Sequence, residues 1–149
     1  DRDRYPVSSE NNKRPVEPKF ECRVLVVEDN QVNQKLLARL LEKHGCRYDL
    51  VANGAEAIRA VREIPYDLIL MDYYMPVMDG IEASLEIRKL HDSETLPIVA
   101  VTANASVEDR KKCMEAGMND YVTKPIRPGR LQDILTRYVG ESRLDNQHP

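Results

Sequence analysis

Residues 23–45 read RVLVVEDNQVNQKLLARLLEKHG, and the parsing of the whole chain follows from them. Arg23 to Val27 is short, apolar and rich in β-branched residues, the pattern of a strand buried on both faces. It stops at Glu28-Asp29-Asn30. Val32, Leu36, Leu37, Leu40 and Leu41 then fall on one helical face, and Gly45 closes the helix. The unit is strand followed by helix, and it recurs. CRYDLV (46–51) is a second strand, Asn53-Gly54 a turn, and Ala57, Ile58 and Val61 the inner face of a helix that stops before Pro65. Leu68 to Met71 is a third strand. After the loop from Asp72 to Gly80, whose Asp79-Gly80 end reads as a turn, Ile81 and Leu85 mark a third helix. Ile98 to Val101 is a fourth strand and Ser106 to Ala116 a fourth helix, closed by Gly117. Tyr121 to Thr123 and then Pro128 to Tyr138, with Leu131, Ile134, Leu135 and Tyr138 inward, complete a fifth pair. Strands apolar on both faces and alternating with helices predict an α/β domain: a parallel sheet, right-handed crossovers, and helices on both faces. In open sheets of this kind, ligands sit beyond the C-terminal strand ends.

Composition narrows the class of function. With 149 residues, 22 basic and 25 acidic side chains and a net charge of −3, the chain is sized for one domain and offers no general attraction to nucleic acid or to a membrane surface. No run approaches the ~18 apolar residues of a spanning helix, and the N-terminus lacks the apolar segment of a signal peptide. Cys22, Cys46 and Cys113 are odd in number and show no CxxC spacing, so they suit neither a disulfide framework nor a zinc site; reduced, cytoplasmic thiols are expected. His44, His91 and His148 are scattered, so any metal is expected to be oxygen-bound. Residues 1–21 read as a flexible linker, 22–140 as the domain and 141–149 as a polar tail. Residues 1–20 hold five basic and four acidic side chains and the last nine residues one and two, so the tails cancel and the core carries the deficit. A first residue of Asp is expected of a segment excised from a longer chain.

The strand ends carry the polar residues of interest: Glu28-Asp29 after the first, Asp72 after the third, Thr102 after the fourth and Thr123-Lys124-Pro125 after the fifth. Carboxylates brought to one sheet edge repel one another, by a few kcal/mol per close pair at an effective dielectric of ~20. A hard divalent cation such as magnesium relieves that cost. Lys124 adds a fixed positive charge and Thr102 a hydroxyl donor. Together these groups can hold the peripheral oxygens of a phosphoryl group, and a strand-end carboxylate can be its nucleophilic acceptor.

VLVVEDN (24–30), LILMDYYMPVMDG (68–80), IVAVTANA (98–105) and DYVTKP (120–125) resemble, in order, the motifs of a response-regulator receiver domain over about residues 22–140. The resemblance implies a (βα)5 flavodoxin-like three-layer sandwich with strand order 2-1-3-4-5. It implies that Asp72 accepts a phosphoryl group from a phosphohistidine, that Asp29, Asp72 and the backbone carbonyl of Tyr74 bind Mg²⁺, and that Glu28 reaches the metal directly or through water. Thr102 and Lys124 would contact the phosphoryl oxygens. Thr102 and Tyr121 would form the conformational switch, and the bond before Pro125 would be cis. The implied partners are a histidine kinase domain or a histidine phosphotransfer protein, with no nucleic acid and no membrane contact. The N-terminal segment and the NQVNQKLLARLLEKHG run resemble the C-terminal receiver of a hybrid sensor histidine kinase; a stand-alone regulator is the alternative, and an interaction module with an idle site a further one. Such a fragment would catalyse its own aspartyl phosphorylation and dephosphorylation rather than turn over a substrate, on the cytoplasmic side of the membrane.

Two other phosphate-handling folds fit less well. No GxGxxG follows the first strand, as a dinucleotide fold would need, and the second acid of the DxD pattern of haloacid-dehalogenase-like phosphatases is replaced by Tyr74. The Tyr73-Tyr74 pair departs from the smaller or more polar residues usual after the receiver aspartate. Tyr74 is therefore expected to slow hydrolysis of the acyl phosphate, and Tyr74→Asn to speed it.

Overall fold

The computed structural model describes residues 20–73, 75, 78–103 and 106–140. Ten elements alternate: β1 (Arg23–Val27), α1 (Gln31–Lys43), β2 (Arg47–Val51), α2 (Gly54–Glu63), β3 (Leu68–Asp72), α3 (Gly80–Arg88), β4 (Ile98–Thr102), α4 (Val107–Glu115), β5 (Asp120–Thr123) and α5 (Pro128–Tyr138). All neighbouring strands are parallel, in the order β2-β1-β3-β4-β5.

Period-two alternation divides the core into two layers. Val24, Val26, Leu68, Leu70, Val99 and Val101 face Leu37 and Leu41 of α1 and Leu131, Ile134 and Leu135 of α5. Leu25, Val27, Ile69, Met71, Ile98 and Ala100 face α2, α3 and α4 through Ala57, Ile58, Ala83, Ile87 and Cys113. β2, at the sheet edge, is only half-covered, which is why RYDLV interleaves polar residues where the central strands have none. The lower end of α3 is bound to its surroundings by the Arg88 guanidinium. It donates to the carbonyls of Gly117, His91 and Leu96 and to Asn119 Oδ1, at 2.8–3.2 Å.

Several expectations from sequence need correction. The five apolar positions of α1 spread over about 180° at 3.6 residues per turn, wider than the strip the sheet covers. Leu37 and Leu41 are buried, with Ala38 beside them, whereas Val32 and Leu36 are exposed. In α3 the inward residues are Gly80, Ala83, Ser84 and Ile87, and Leu85 points out. Close approach explains this: a Cβ on Gly54 would stand 2.9 Å from that of Ala83, and one on Gly80 2.6 Å from the Asp72 carbonyl oxygen. Small residues thus make the buried face, and a search for large apolar ones misses it. Asn53 is the N-cap of α2 and Gly54 its first residue, so that turn is a helix start. Asp72 is the last residue of β3 rather than the first of a loop. Phe20, assigned from sequence to the linker, is fully buried, and its amide donates to the His44 carbonyl at 2.9 Å. Residues 1–19 and 141–149 lie outside the described residues.

Candidate functional site

The parallel register sets the C-terminal ends of β1, β3, β4 and β5 side by side, and each contributes one polar group or more. Glu28 follows β1 directly. Its side chain is buried, Oε2 accepts from the Asn30 amide at 3.0 Å, and its carbonyl accepts from Gln34 Nε2 at 2.7 Å. Asn30 also caps α1 by accepting from the Asn33 amide, so the residues that start the helix hold the acid in place. Asp29, between them, is exposed. Asp72 ends β3 and is buried; the closure of the Tyr73 carbonyl onto the Gly80 amide at 3.1 Å shapes the loop beyond it. One carboxylate oxygen from each of Glu28, Asp29 and Asp72 lies within 4.8 Å of the others.

Lys124 Nζ approaches both buried acids, 3.2 Å from Glu28 Oε1 and 3.2 Å from Asp72 Oδ1. Its amide donates to the Thr102 carbonyl at 2.7 Å, and the Lys124–Pro125 peptide is cis. One cation therefore serves two buried carboxylates. Burial pushes the Asp72 carboxyl up to about 6, with Glu28 adding to the rise and Lys124 opposing it. Burial disfavours the Lys124 charge, but Asp72 and Glu28 together outweigh it and hold the ammonium above its usual value. Charge at this edge is concentrated and only partly compensated.

Thr102 ends β4, buried, and shares a narrow crevice with Tyr73, Asp109, Arg110, Cys113 and Tyr121. Tyr121 is half-buried, with the Arg110 guanidinium 4.6 Å from its ring centroid, and the Tyr73 hydroxyl donates to Asp109 at 3.2 Å. The structure thus brings together Glu28, Asp29, Asp72 and Lys124, and sets Thr102 beside Tyr121; Tyr74 lies outside the described residues. Sequence reasoning missed Gln34 and Asp109, and noted Tyr73 only as a departure from the motif, without its partner. The N-cap signal of Asn30 could have pointed to Gln34, one helical turn on, but nothing local links Tyr73 to Asp109. Beside Glu28 and Lys124, an apolar groove is lined by Leu36, Leu40, Pro125, Ile126 and Pro128. No helix among the described residues is long and apolar enough to cross a membrane.

Comparison with known proteins gives this arrangement a family. The family model described as the response regulator receiver domain matches residues 24–136. The signal transduction histidine-protein kinase BarA of Escherichia coli K12 is 41% identical over 140 residues, which are 93% of this chain and 15% of that protein. The chain spans 6–15% of the length of the first curated relatives it matches. Among solved structures, the receiver domain of a Pseudomonas aeruginosa sensor histidine kinase, crystallised with a magnesium ion in its active site cleft, is 46% identical. It superposes with a TM-score of 0.74, covering 82% of this chain and 98% of that one. The receiver domain of the Saccharomyces cerevisiae response regulator Ssk1, crystallised with the histidine phosphotransfer protein Ypd1, is 38% identical with a TM-score of 0.75, covering 84% and 92%.

Proposed function

The chain belongs to the response regulator receiver domain family, and we propose that Asp72 is its phosphoacceptor, loaded from a phosphohistidine on a partner protein. The observation that carries this reading is the placement of Asp72 at the C-terminal end of β3, buried, 3.2 Å from Lys124 Nζ and grouped with Glu28 and Asp29. In the transfer, an Asp72 carboxylate oxygen attacks phosphorus as the bond from phosphorus to the histidine nitrogen breaks, and the imidazole leaves with the electron pair. Lys124 then pairs with a phosphoryl oxygen, and the Thr102 hydroxyl donates to another. Displacement of Thr102 toward the phosphoryl group draws Tyr121 into the crevice they share, a local charge event with a conformational readout.

The three carboxylates are hard oxygen donors, the donor set magnesium prefers. Glu28, Asp29 and Asp72 would hold the ion, with the Tyr74 carbonyl as a further proposed ligand, and the ion would supply positive charge that offsets their repulsion and that of the incoming phosphoryl oxygens. The apolar groove beside Lys124 gives a partner carrying the phosphohistidine a surface next to Asp72. The crystallised complex of a related receiver domain with a histidine phosphotransfer protein supports a partner of that type. The name of a curated relative supports a hybrid histidine kinase as the parent protein, and this domain is proposed to lie in the cytoplasm.

Acetyl phosphate or phosphoramidate with Mg²⁺, followed by intact-mass measurement, tests the assignment. The expected result is one phosphoryl group per chain with the metal present, and none when the metal is chelated beforehand or in Asp72→Asn. Equal incorporation in that variant would remove Asp72 from the role. The bulk of Tyr74 is proposed to slow hydrolysis, so Tyr74→Asn should shorten the phosphate lifetime.

A further inference from the structure

At the opposite edge of the sheet, Cys22 directly precedes β1 and Cys46 directly precedes β2. Arg23 and Arg47 are register partners, and the Arg47 amide donates to the Cys22 carbonyl at 3.0 Å, so the two cysteines face each other across adjacent parallel strands. Neighbouring strands lie about 4.8 Å apart, inside the Cα separation of roughly 4.4–6.8 Å that disulfides span. The sulfurs are 3.4 Å apart and share a hydrogen bond. Both side chains are buried, and Glu21, Gly45 and Arg47, their neighbours along the chain, are exposed.

We propose that Cys22 and Cys46 form a redox modification site that closes to an intramolecular disulfide when a hydroperoxide reaches it. The Cys46 thiolate attacks the terminal peroxide oxygen, the O–O bond breaks, and an alcohol or water leaves, giving a sulfenic acid on Cys46. Cys22 then attacks that sulfur, the S–O bond breaks, and the oxygen leaves as water. Two thiols lose two electrons and two protons, and the peroxide takes up both. The attack is assigned to Cys46 because the hydrogen bond from Cys22 favours its thiolate, against the opposing effects of burial and of Asp67. Cys113 is the internal contrast. It lies in the other core layer, and burial pushes its thiol up to about 11.

The bond would join positions 24 residues apart. It would do so where Phe20 docks against His44, its amide on the His44 carbonyl and its ring centroid 6.0 Å from the imidazole. Oxidation would therefore fix the entry of the chain into the fold, at the far ends of the strands from Asp72. Disulfides in reducing compartments are typically transient and regulatory, which fits a reversible bond at this position.

The test is hydrogen peroxide treatment of the full chain under native conditions, alkylation of remaining thiols, and peptide mapping. The expected product is a Cys22–Cys46 linked peptide lighter by two hydrogen atoms, with Cys113 alkylated and full reversal by dithiothreitol. In Cys22→Ser the linked peptide is lost and dimedone traps a sulfenic acid on Cys46. Accumulation of sulfinic acid without a link, pairing with Cys113 as often as between the two, or continued alkylation of both residues would overturn the proposal. Because the decisive readout is the wild-type peptide map, the proposal stands or falls even if the variant does not fold.

Discussion

At the N-terminal edge of the sheet, the Arg23 guanidinium meets Asp49 at 3.0 Å, Tyr66 donates to the same carboxylate at 2.6 Å, and Asp67 accepts from the Arg23 amide. At the C-terminal edge, Lys124 faces Glu28 and Asp72 with Asp29 close by. Both edges end the same strands and both carry acids. One arrangement is half-exposed, with Asp49 paired to a cation and a hydroxyl and Asp67 held by a backbone amide. The other concentrates three acids around one cation, two of those acids buried. The difference separates a charge cluster compensated within the fold from one left with an excess of acid that an added cation would relieve. Perturbed carboxylates in a cleft are candidates for chemistry for this reason.

The comparison can be broken first at Lys124. Lys124→Met strips two buried carboxylates of their cation, and removal of one partner of such a buried set costs about 3–5 kcal/mol. Urea unfolding in chelator at pH 8 should show that loss. A loss below 1 kcal/mol would mean that the edge is as tolerant as a surface pair. Gly80→Ala comes next: its Cβ would stand 2.6 Å from the Asp72 carbonyl oxygen, a backbone atom that cannot step aside. A cost of about 1–3 kcal/mol is expected, together with slower phosphoryl incorporation, because the strain falls on Asp72 itself.

The edges should also differ in the sign of their pH dependence. Asp72 is raised from 3.8 to about 6, so the folded chain binds that proton more tightly than the unfolded one. In chelator its contribution to stability should fall as pH rises from about 4 to about 6, and Asp72→Asn should abolish that fall. Asp49 behaves oppositely. Burial opposes its charge, but bonds from Tyr66 and Arg23 leave it below its usual value. Its contribution is present above the unfolded pKa and is lost as pH drops through the lowered one. Acid unfolding of Asp49→Asn should lack that component. The smallest expected effect is that of Arg23→Met, below about 1 kcal/mol because the pair is about one-third exposed on each side. If it exceeded the cost of Lys124→Met, the roles assigned to the two edges would be reversed.

The strand pattern was legible because β1, β3 and β4 are buried on both faces and their apolar runs are unbroken. From that pattern alone, the acids of Glu28, Asp29 and Asp72 could be placed at one edge. The inner faces of α1 and α3 were less readable. Hydrophobicity cannot tell which arc of a broadly apolar helix the sheet covers, and the close packing of α3 rests on Gly80, Ala83 and Ser84, which carry little apolar signal. Phe20 was hidden by its setting among polar and proline residues. The meeting of Tyr73 with Asp109, like that of Cys22 with Cys46, depends on tertiary placement that no local spacing encodes.

The Arg88 guanidinium, which gathers the carbonyls of His91, Leu96 and Gly117 with the Asn119 side chain, acts as a mechanical pivot. It pins the base of α3 to the segment entering β4 and to the turn between α4 and β5, while Thr102 and Tyr121 lie farther along β4 and β5. In the proposed switch, a displacement that starts at Thr102 would be taken up by tilting of α4 about this clamped base, with the Val107 end of the helix the freer one. Amide exchange should accordingly be slowest around Gly117 and Asn119 and quicken along α4 toward Val107.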